Sequence, residues 1–290
     1  MRYEGAVYRP PSEAGSLIIQ LTIGCARNTC TFCAMFKDKK FRVRDLNEVV
    51  EDLVMARKYY SNMPVKRIFL ADGDALIVKT KDLLYIIEKI NEIFPEVERI
   101  SAYGTPADVI LKSDEELKSL KDAGLDMIYI GGESGDDEVL QNVKKGVTSA
   151  QIVVAGLKLK KAGIVVSITF ISGLGGRKNL EQHALNTAKT INAMKPEYVG
   201  FLTLMIESGT ELYEERRRGE FELLTPKEVL KEMRLLIENI DSEGTVFRSN
   251  HASNYIPLKG TFNKDNQAML RQIDIAEKNG VFKSEAFRGI

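Results

Sequence analysis

Apolar residues follow two spacings that alternate along the chain. Short runs rich in β-branched residues, bounded by Gly, Asp or Pro, are typical of strands, whereas longer stretches repeat an apolar residue every three or four positions, as amphipathic helices do. Strands are predicted near Leu17 to Ile23, Arg67 to Ala71, Arg99 to Ala102, Met127 to Gly131, Ile164 to Ile171, Tyr198 to Thr203 and Thr245 to Arg248. Helices are predicted near Leu46 to Tyr60, Lys81 to Phe94, Asp114 to Ala123, Asp136 to Val143, Ser149 to Ala162, Leu180 to Met194 and Pro226 to Ile240.

This alternation predicts an α/β fold with a parallel sheet, because each helix carries the chain back to the end of the sheet where the next strand begins. The sheet is either doubly wound or curled into a barrel, and a repeat of about thirty to forty residues favours a whole or partial (β/α) barrel. In both architectures the active site lies at the carboxyl ends of the strands. Functional side chains are therefore expected in the segments that directly follow the strands.

The pattern divides the chain into three segments. Residues 1–15 form a lead-in, residues 16–250 form the strand-and-helix core, and residues 251–290 form a cap that contains a helix near Gln267 to Lys278. A dense polar stretch lies where the cap begins, and its side chains Arg248, Asn250 and His251 are candidates for contact with a substrate, as is Tyr103 earlier in the chain.

Composition narrows the class of protein and of partner. Of the 290 residues, 44% are apolar and 28% are charged, which excludes a disordered chain, a collagen and a coiled coil. The 41 basic residues balance the 41 acidic ones, so no overall field attracts nucleic acid or an anionic membrane. Apolar runs are far shorter than the roughly twenty residues of a membrane span. The charged first residues do not resemble a signal peptide, and the sequence predicts a cytoplasmic protein.

All three cysteines lie in one stretch, GCARNTCTFC, directly after the first predicted strand. A disulfide would leave one thiol over and is disfavoured in a reducing compartment. A structural zinc site normally has four protein ligands, and His183 and His251 lie far from the cysteines in the sequence. A zinc site of three thiolates and a water is still possible. A 4Fe-4S cluster would take one thiolate on each of three irons and leave the fourth iron open.

The spacing of Cys25, Cys30 and Cys33, with Phe32 before the last cysteine, resembles the signature of the radical S-adenosylmethionine (SAM) superfamily. The usual pattern there is C-x3-C-x2-C, and this chain has C-x4-C-x2-C. The resemblance is to the Elongator-like and coproporphyrinogen-oxidase-like branch. It implies a partial (β/α)6-type TIM barrel, a 4Fe-4S cluster on the three cysteines, and SAM as the second cofactor. Phe32 is counted with the cofactor-binding residues.

The same resemblance extends to the ends of later strands. The turn Ala71-Asp72-Gly73-Asp74 resembles the family's Gly-Gly-Glu-like turn, which implies that Gly73 and Asp74 hold the amino group of the SAM methionine. Glu133, in Gly131-Gly132-Glu133-Ser134, is expected to face the ribose. Lys145 stands where this branch places a basic residue on the methionine carboxylate.

The fifth predicted strand resembles the family's adenine-contacting segment. It ends in Thr169-Phe170-Ile171-Ser172-Gly173, and Thr169 and Ser172 are the expected contacts. An acid that often follows is absent, since Gly176 and Arg177 stand there. With these cofactors, the superfamily's chemistry is one-electron cleavage of SAM to a 5′-deoxyadenosyl radical, which takes a hydrogen atom from a substrate. The substrate and the catalytic residues that contact it are not indicated.

Two partners and two rival functions complete the sequence-based picture. The run Lys37, Lys39, Lys40, Arg42 and Arg44 is either a solvated loop or a docking surface for an acidic electron donor of the flavodoxin or ferredoxin type. The rival functions are a zinc-binding (β/α) scaffold and an iron–sulfur electron-transfer protein without radical chemistry. A small-molecule or other substrate is expected, and neither a membrane nor a nucleic acid is.

Overall fold

The structure, a computed structural model, describes residues 1–61 and 63–289. The strands are β1 (Leu17–Gln20), β2 (Thr22–Ile23), β3 (Arg42–Val43), β4 (Arg67–Ala71), β5 (Arg99–Gly104), β6 (Leu125–Glu133), β7 (Val165–Ser172), β8 (Tyr198–Thr203), β9 (Val246–Ser249) and β10 (Leu258–Thr261). Eight of them belong to a mostly parallel sheet, and β2 and β3 form a separate antiparallel pair. The predicted α/β fold class is confirmed.

Ten α-helices are found in the described part of the chain. They are α1 (Leu46–Tyr59), α2 (Thr80–Ile93), α3 (Pro106–Leu111), α4 (Asp114–Ala123), α5 (Asp137–Asn142), α6 (Ser149–Lys161), α7 (Leu180–Met194), α8 (Glu211–Arg217), α9 (Pro226–Glu238) and α10 (Asn266–Asn279). Short 3-10 helices cover Pro11–Glu13 and Glu285–Phe287. No helix of residues 1–61 and 63–289 is long and apolar enough to cross a membrane.

Four strands and helices are not predicted by the sequence pattern, and one predicted strand is found as two separate strands. The predicted strand from Leu17 to Ile23 becomes β1 and β2, which belong to different sheets. The short elements β3, α3, α8 and β10 are not predicted. Strand β10 runs antiparallel to β9, so residues 258–261 of the expected cap extend the sheet. All four elements are shorter than eight residues, which is too short to establish a period.

The chain forms two compact units, and the first consists of residues 1–28, 35–130 and 157–166. Parallel pairs join β1 to β4, β4 to β5 and β5 to β6. One face of these strands carries an apolar cluster of Ile18, Phe69, Ala71, Met127 and Tyr129, against which Val7 of the lead-in packs. Tyr103 packs there too, with its ring edge-on to Phe69. This candidate substrate contact therefore also has a structural role.

The second unit consists of residues 29–34, 131–156 and 167–290. Parallel pairs join β7 to β8 and β8 to β9. Phe170, Phe201, Phe247 and Phe262 form a continuous row of rings, with centroids 4.9 to 5.8 Å apart. Such contacts add about 0.5–1.5 kcal/mol each beyond the burial of their area. The row fixes neighbouring strands of this unit against one another.

Glu13 ties the lead-in to the strands of the first unit. Its side chain is fully buried, and Oε1 accepts hydrogen bonds from Arg99 (2.8 Å), Ser101 (3.0 Å) and Tyr129 (2.6 Å). Burial, and then the hydrogen bond to Glu13, raise the pKa of Tyr129, so the phenol keeps the proton that it donates. A buried carboxylate is tolerated here because three donors satisfy it.

We expect Glu13→Ala to lower the free energy of unfolding by about 3 kcal/mol, because it leaves Arg99 and Tyr129 without their acceptor. Glu13→Gln keeps an acceptor of the same shape and should cost less. Glu98→Ala removes an exposed ion pair with Lys66 and should cost under about 1 kcal/mol. Urea unfolding of the three variants measures the order. Equal losses in Glu13→Ala and Glu98→Ala would contradict the role of Glu13.

Candidate active site

Main-chain hydrogen bonds hold the segment of the last two cysteines within the second unit. The N–H of Cys33 donates to the carbonyl of Cys30 at 3.4 Å, which closes a turn. The N–H of Thr31 donates to the carbonyl of Val143 at 3.1 Å, and its carbonyl accepts from Leu212 at 3.0 Å. The turn is therefore fixed to the end of α5 and to the start of α8. Thr31 is a positioning residue that the sequence does not reveal.

Phe32 anchors the same turn by burial. It packs against an apolar cluster of Val139, Val143, Ile171, Leu174, Leu204 and Leu212. These residues come from α5, from the end of β7, from the end of β8 and from α8. Ile171 and Leu174 flank the predicted adenine-contacting turn, so the structure brings Phe32 and that turn to one apolar surface.

In the first unit, a buried carboxylate fixes the start of the cysteine loop. Asp72 follows β4, is fully buried, and its Oδ2 accepts from the N–H of Gly24 (2.9 Å), from Lys39 Nζ (2.9 Å) and from Gln20 Nε2 (3.3 Å). Hydrogen bonds to the charged form of a carboxylate stabilise it in a buried setting. Asp72 thus holds Gly24, the residue before Cys25. The signal in the sequence was the polar Asp72 within an otherwise apolar strand end.

Gly73 makes a close approach to Cys25 possible. A Cβ on Gly73 would lie 3.0 Å from the Cβ of Cys25 and 2.7 Å from a ring carbon of Phe36. Any side chain there would displace one of the two, so the glycine is needed for packing as well as for its predicted role. The structure brings Gly73 and Cys25 together, while the contact of Gly73 with SAM stays a prediction.

The three thiols suit an iron–sulfur cluster in their chemistry. Cys25, Cys30 and Cys33 form no disulfide with one another and are half-buried, in a segment of turns and loop rather than helix or strand. In residues 1–61 and 63–289, no group of three or more Cys, His, Asp or Glu side chains is arranged around a single metal ion. A 4Fe-4S cluster takes one thiolate on each of three different irons.

Asp74 is buried against a second carboxyl group. Both of its oxygens are inaccessible, and burial, followed by the neighbouring charge of Asp108, raises its pKa from 3.8 to about 9. The nearby guanidinium of Arg27 opposes this shift. At neutral pH Asp74 is therefore a neutral acid. Its contact with SAM stays a prediction.

Glu133 and Lys145 form a close ion pair in the second unit. Lys145 Nζ lies 2.9 Å from Glu133 Oε1, and both side chains are largely buried. A Cβ on Gly131 would lie 2.2 Å from the same oxygen, so a side chain there would displace the Glu133 carboxylate. The backbone of Glu133 has φ 64°, a region that costs a non-glycine residue about 1–2 kcal/mol. Strain of this kind is concentrated at functional sites.

Thr169 and Ser172 lie on opposite faces of β7. The Oγ1 of Thr169 is 3.5 Å from the place where a Cβ on Gly200 would sit, next to the neighbouring strand β8. Ser172 is buried on the side where α7 and α9 pack, and its hydroxyl finds no hydrogen-bond partner among residues 1–61 and 63–289. Only Thr169 of the two is partly exposed. The assignment of both residues to the adenine stays a prediction.

A buried pair of side chains holds the turn after β7. Glu232 of α9 accepts the N–H of Gly173 through Oε2 at 2.8 Å, and its Oε1 lies 2.8 Å from Nδ1 of His183. Gly173 has φ 83°, a conformation that favours glycine. His183 therefore takes part in positioning this turn. From the sequence it is only a histidine too distant to be a zinc ligand with the cysteines. Nothing in the sequence pattern signals Glu232.

The polar stretch after β9 is engaged in local contacts. His251 Nδ1 lies 3.0 Å from the hydroxyl of Ser253, and burial, then the charge of Lys283, lower its pKa. Arg248 donates to the carbonyls of Phe247 and Gly260. Contact of Arg248, Asn250 or His251 with a substrate stays a prediction.

The basic run after the cysteines divides into buried and exposed members. Lys39 pairs with Asp72, and Arg44 pairs with Asp52 at 2.8 Å while it donates to the carbonyl of Gln20. Arg42 pairs with Glu4 at the surface. Two of the five cations therefore serve inside the first unit. The exposed members are Lys37, Lys40 and Arg42.

A comparison with protein families identifies the domain that contains these features. The profile of the Radical SAM superfamily matches residues 19–191, which include the three cysteines, Gly73, Glu133 and Lys145. The chain belongs to the Radical SAM superfamily. This membership is the one that the resemblance predicted, and the matched range runs from β1 into α7.

Relatives within the Radical SAM superfamily agree with the expected branch. The chain is 21% identical to the heme chaperone HemW of Bacillus subtilis over 202 residues, which are 69% of this chain and 52% of HemW. It is 26% identical over 120 residues to a tRNA uridine(34) acetyltransferase of Methanocaldococcus infernus, covering 41% of this chain and 22% of that protein. This chain thus spans about half or less of the length of these relatives.

Solved radical SAM structures share the fold. Methylornithine synthase (PylB) superposes with a TM-score of 0.53 at 16% identity, over 92% of this chain and 85% of that chain. The archaeal Elp3 of Methanocaldococcus infernus superposes with a TM-score of 0.54 at 17% identity, over 82% of this chain and 60% of that chain. At these identities the likeness is one of fold.

Asp74 gives the radical SAM domain a specific pH dependence of stability. Its pKa is 3.8 when unfolded and about 9 when folded, so the unfolded chain loses this proton first. The folded state is therefore destabilised progressively as pH rises from 3.8 toward 9. We expect Asp74→Asn to reduce the fall in Tm between about pH 5 and about pH 9 by at least about 2 °C.

The matched control is Asp122→Asn, which changes an exposed carboxylate paired with Lys118 on α4. Scanning calorimetry of the apoprotein at the two pH values measures both variants against the native sequence. The same fall in Tm for all three proteins would contradict the burial effect at Asp74.

Proposed function

We propose that this protein binds a 4Fe-4S cluster through Cys25, Cys30 and Cys33 and cleaves SAM reductively. The resulting radical acts on a substrate whose identity is not part of the proposal. The observation that carries the proposal is that three half-buried cysteines, not joined by disulfides, lie together in one loop within a Radical SAM domain. A cluster held by Cys25, Cys30 and Cys33 would supply the one electron needed to cleave the carbon–sulfur bond of SAM, which would give methionine and a 5′-deoxyadenosyl radical able to abstract hydrogen.

The residues of the chain hold the loop in place for this chemistry. Asp72 fixes Gly24, and the main chain of Thr31 fixes the Cys30–Cys33 turn. Because thiolate positions set the pose of a cluster, these anchors are positioning groups. They also keep the loop packed, which limits the access of water to the ligands.

Two groups suit the zwitterionic end of SAM by their chemistry. Lys145 presents an ammonium that suits the methionine carboxylate, and Glu133 holds that ammonium at 2.9 Å. Since both side chains are largely buried, each interaction is stronger there than in bulk water. Glu133 can also accept a hydrogen bond from a ribose hydroxyl, which is the role that the family resemblance assigns to it.

An apolar surface suits the adenine. Phe32, Ile171 and Leu174 pack in one cluster in the second unit, and Thr169 provides a hydroxyl on the same strand. An aromatic ring and branched aliphatic side chains together favour a flat heterocycle. An acidic one-electron donor of the flavodoxin or ferredoxin type would meet the exposed Lys37, Lys40 and Arg42.

The decisive experiment is anaerobic reconstitution with iron and sulfide, followed by incubation with SAM and dithionite. We expect a brown protein with about four irons per chain and formation of 5′-deoxyadenosine. Cys30→Ala should lose iron and reduce 5′-deoxyadenosine to background, whereas the loop variant Lys37→Ala should retain both. A colourless protein with one zinc per chain would favour the scaffold function. A full cluster without 5′-deoxyadenosine would favour electron transfer alone.

A second experiment tests Lys145. We expect Lys145→Met to weaken SAM binding to the reconstituted protein about ten-fold or more, because a charge-assisted hydrogen bond is lost. Anaerobic equilibrium dialysis with labelled SAM measures the affinity. The neighbour Lys144 pairs with Glu211 at the surface, so Lys144→Met is the matched control and should bind SAM normally. Equal affinities in the two variants would remove Lys145 from the cofactor site.

A further inference from the structure

A cavity of about 590 Å³ lies within the second unit, and its floor shares residues with the apolar cluster against which Phe32 packs. Its apolar floor is made by Val139, Val143, Leu174, Leu212 and Phe221. These side chains come from α5, from the segment after β7, from α8 and from the segment after α8. The volume falls within the roughly 300–1,000 Å³ of small-molecule sites.

The rim of this cavity is acidic. Four glutamates line it, Glu138, Glu215, Glu220 and Glu222, and Lys178 is the only cation among the lining residues. Carboxylates around an apolar floor produce a negative potential that the low-dielectric wall focuses into the cavity. The charge pattern therefore complements a ligand that is both cationic and apolar.

The existing counter-charges neutralise this rim incompletely. Glu220 pairs with Arg218 and Glu222 pairs with Arg177, both at 2.6 Å, through guanidinium groups that are about half exposed. Such surface pairs are weak and exchange readily. Lys178 lies 3.9 Å from Glu138 and is itself almost fully exposed.

Glu215 is the rim carboxylate that a bound cation would stabilise most. Within residues 1–61 and 63–289 it takes part in no ion pair closer than 4.0 Å. Burial, and then the neighbouring charge of Glu211, raise its pKa above the usual range. A cation in the cavity would offset both effects.

We propose that this cavity binds a small organic cation with an aliphatic body and more than one protonated nitrogen. A hydrated metal ion would gain nothing from the apolar floor, and a neutral or anionic ligand would gain nothing from the rim. None of Phe32, Glu133, Lys145 and Thr169 lines the cavity, and Leu174 is the residue that it shares with the apolar surface proposed for the adenine. The inference therefore goes beyond the proposed function and does not depend on it.

Titration calorimetry of the whole chain, without cluster or SAM, tests the site with three ligands of equal length. These are 1,8-diaminooctane, 1,8-octanediol and suberate, which differ only in charge. We expect the diamine to bind and to be weakened about three- to ten-fold by Glu215→Gln. Glu214→Gln changes a carboxylate on the same helix that does not line the cavity, and it should leave diamine binding unchanged.

Several results would overturn the site. They are absence of diamine binding at millimolar concentration, equal binding of the diol or suberate, and equal weakening by Glu215→Gln and Glu214→Gln. SAM is itself a cation, so displacement of the diamine by SAM would assign the cavity to the cofactor, while displacement by magnesium alone would assign it to a metal ion. If the diamine binds in this way but 5′-deoxyadenosine never forms, the cavity stands and the proposed function fails.

Discussion

The buried carboxylate of Asp72 is the interaction on which the site in the first unit depends. A full negative charge that is removed from water must find donors, and the ones it finds are the main chain of Gly24 and the ammonium of Lys39. These two groups flank the cysteines in the sequence. Asp72, the residue after β4, therefore holds the start of the cysteine loop at Gly24 and its end at Lys39. The carboxylate positions a loop that contains no helix or strand.

In the second unit, main-chain hydrogen bonds and apolar packing together hold the turn of the last two cysteines. Thr31 uses only its backbone groups, while Phe32 contributes a large apolar surface. The strained backbone of Glu133 is held by its ion pair with Lys145 and by the close fit of Gly131. Strain at one residue persists where its neighbours over-determine it. The side chains of Val143 and Leu212, whose main chains hold Thr31, also line the acidic cavity.

The sequence predicted the fold where the pattern was long, and the chemistry where the residue type was rare. Strands β4 and β8 match their predicted limits because each is a short, mostly apolar run, and α4 matches because Ser113 and Glu116 form a capping box at its start. Strand β10, with the sequence LKGT, has no such period. The three cysteines were found because their clustering cannot arise from packing alone. Asp72 and Glu232 were not, because a single buried carboxylate has no periodic signature.

The placement of the two loop anchors explains how this chain accommodates a longer spacing between its first two cysteines. One anchor acts on Gly24 and the other on Thr31, and the residues between them form turns without any strand or helix register. An inserted residue there changes the length of a connection that no ladder of hydrogen bonds constrains, at a small entropic cost. The length of the segment between Gly24 and Thr31 can therefore change without moving these two anchored residues.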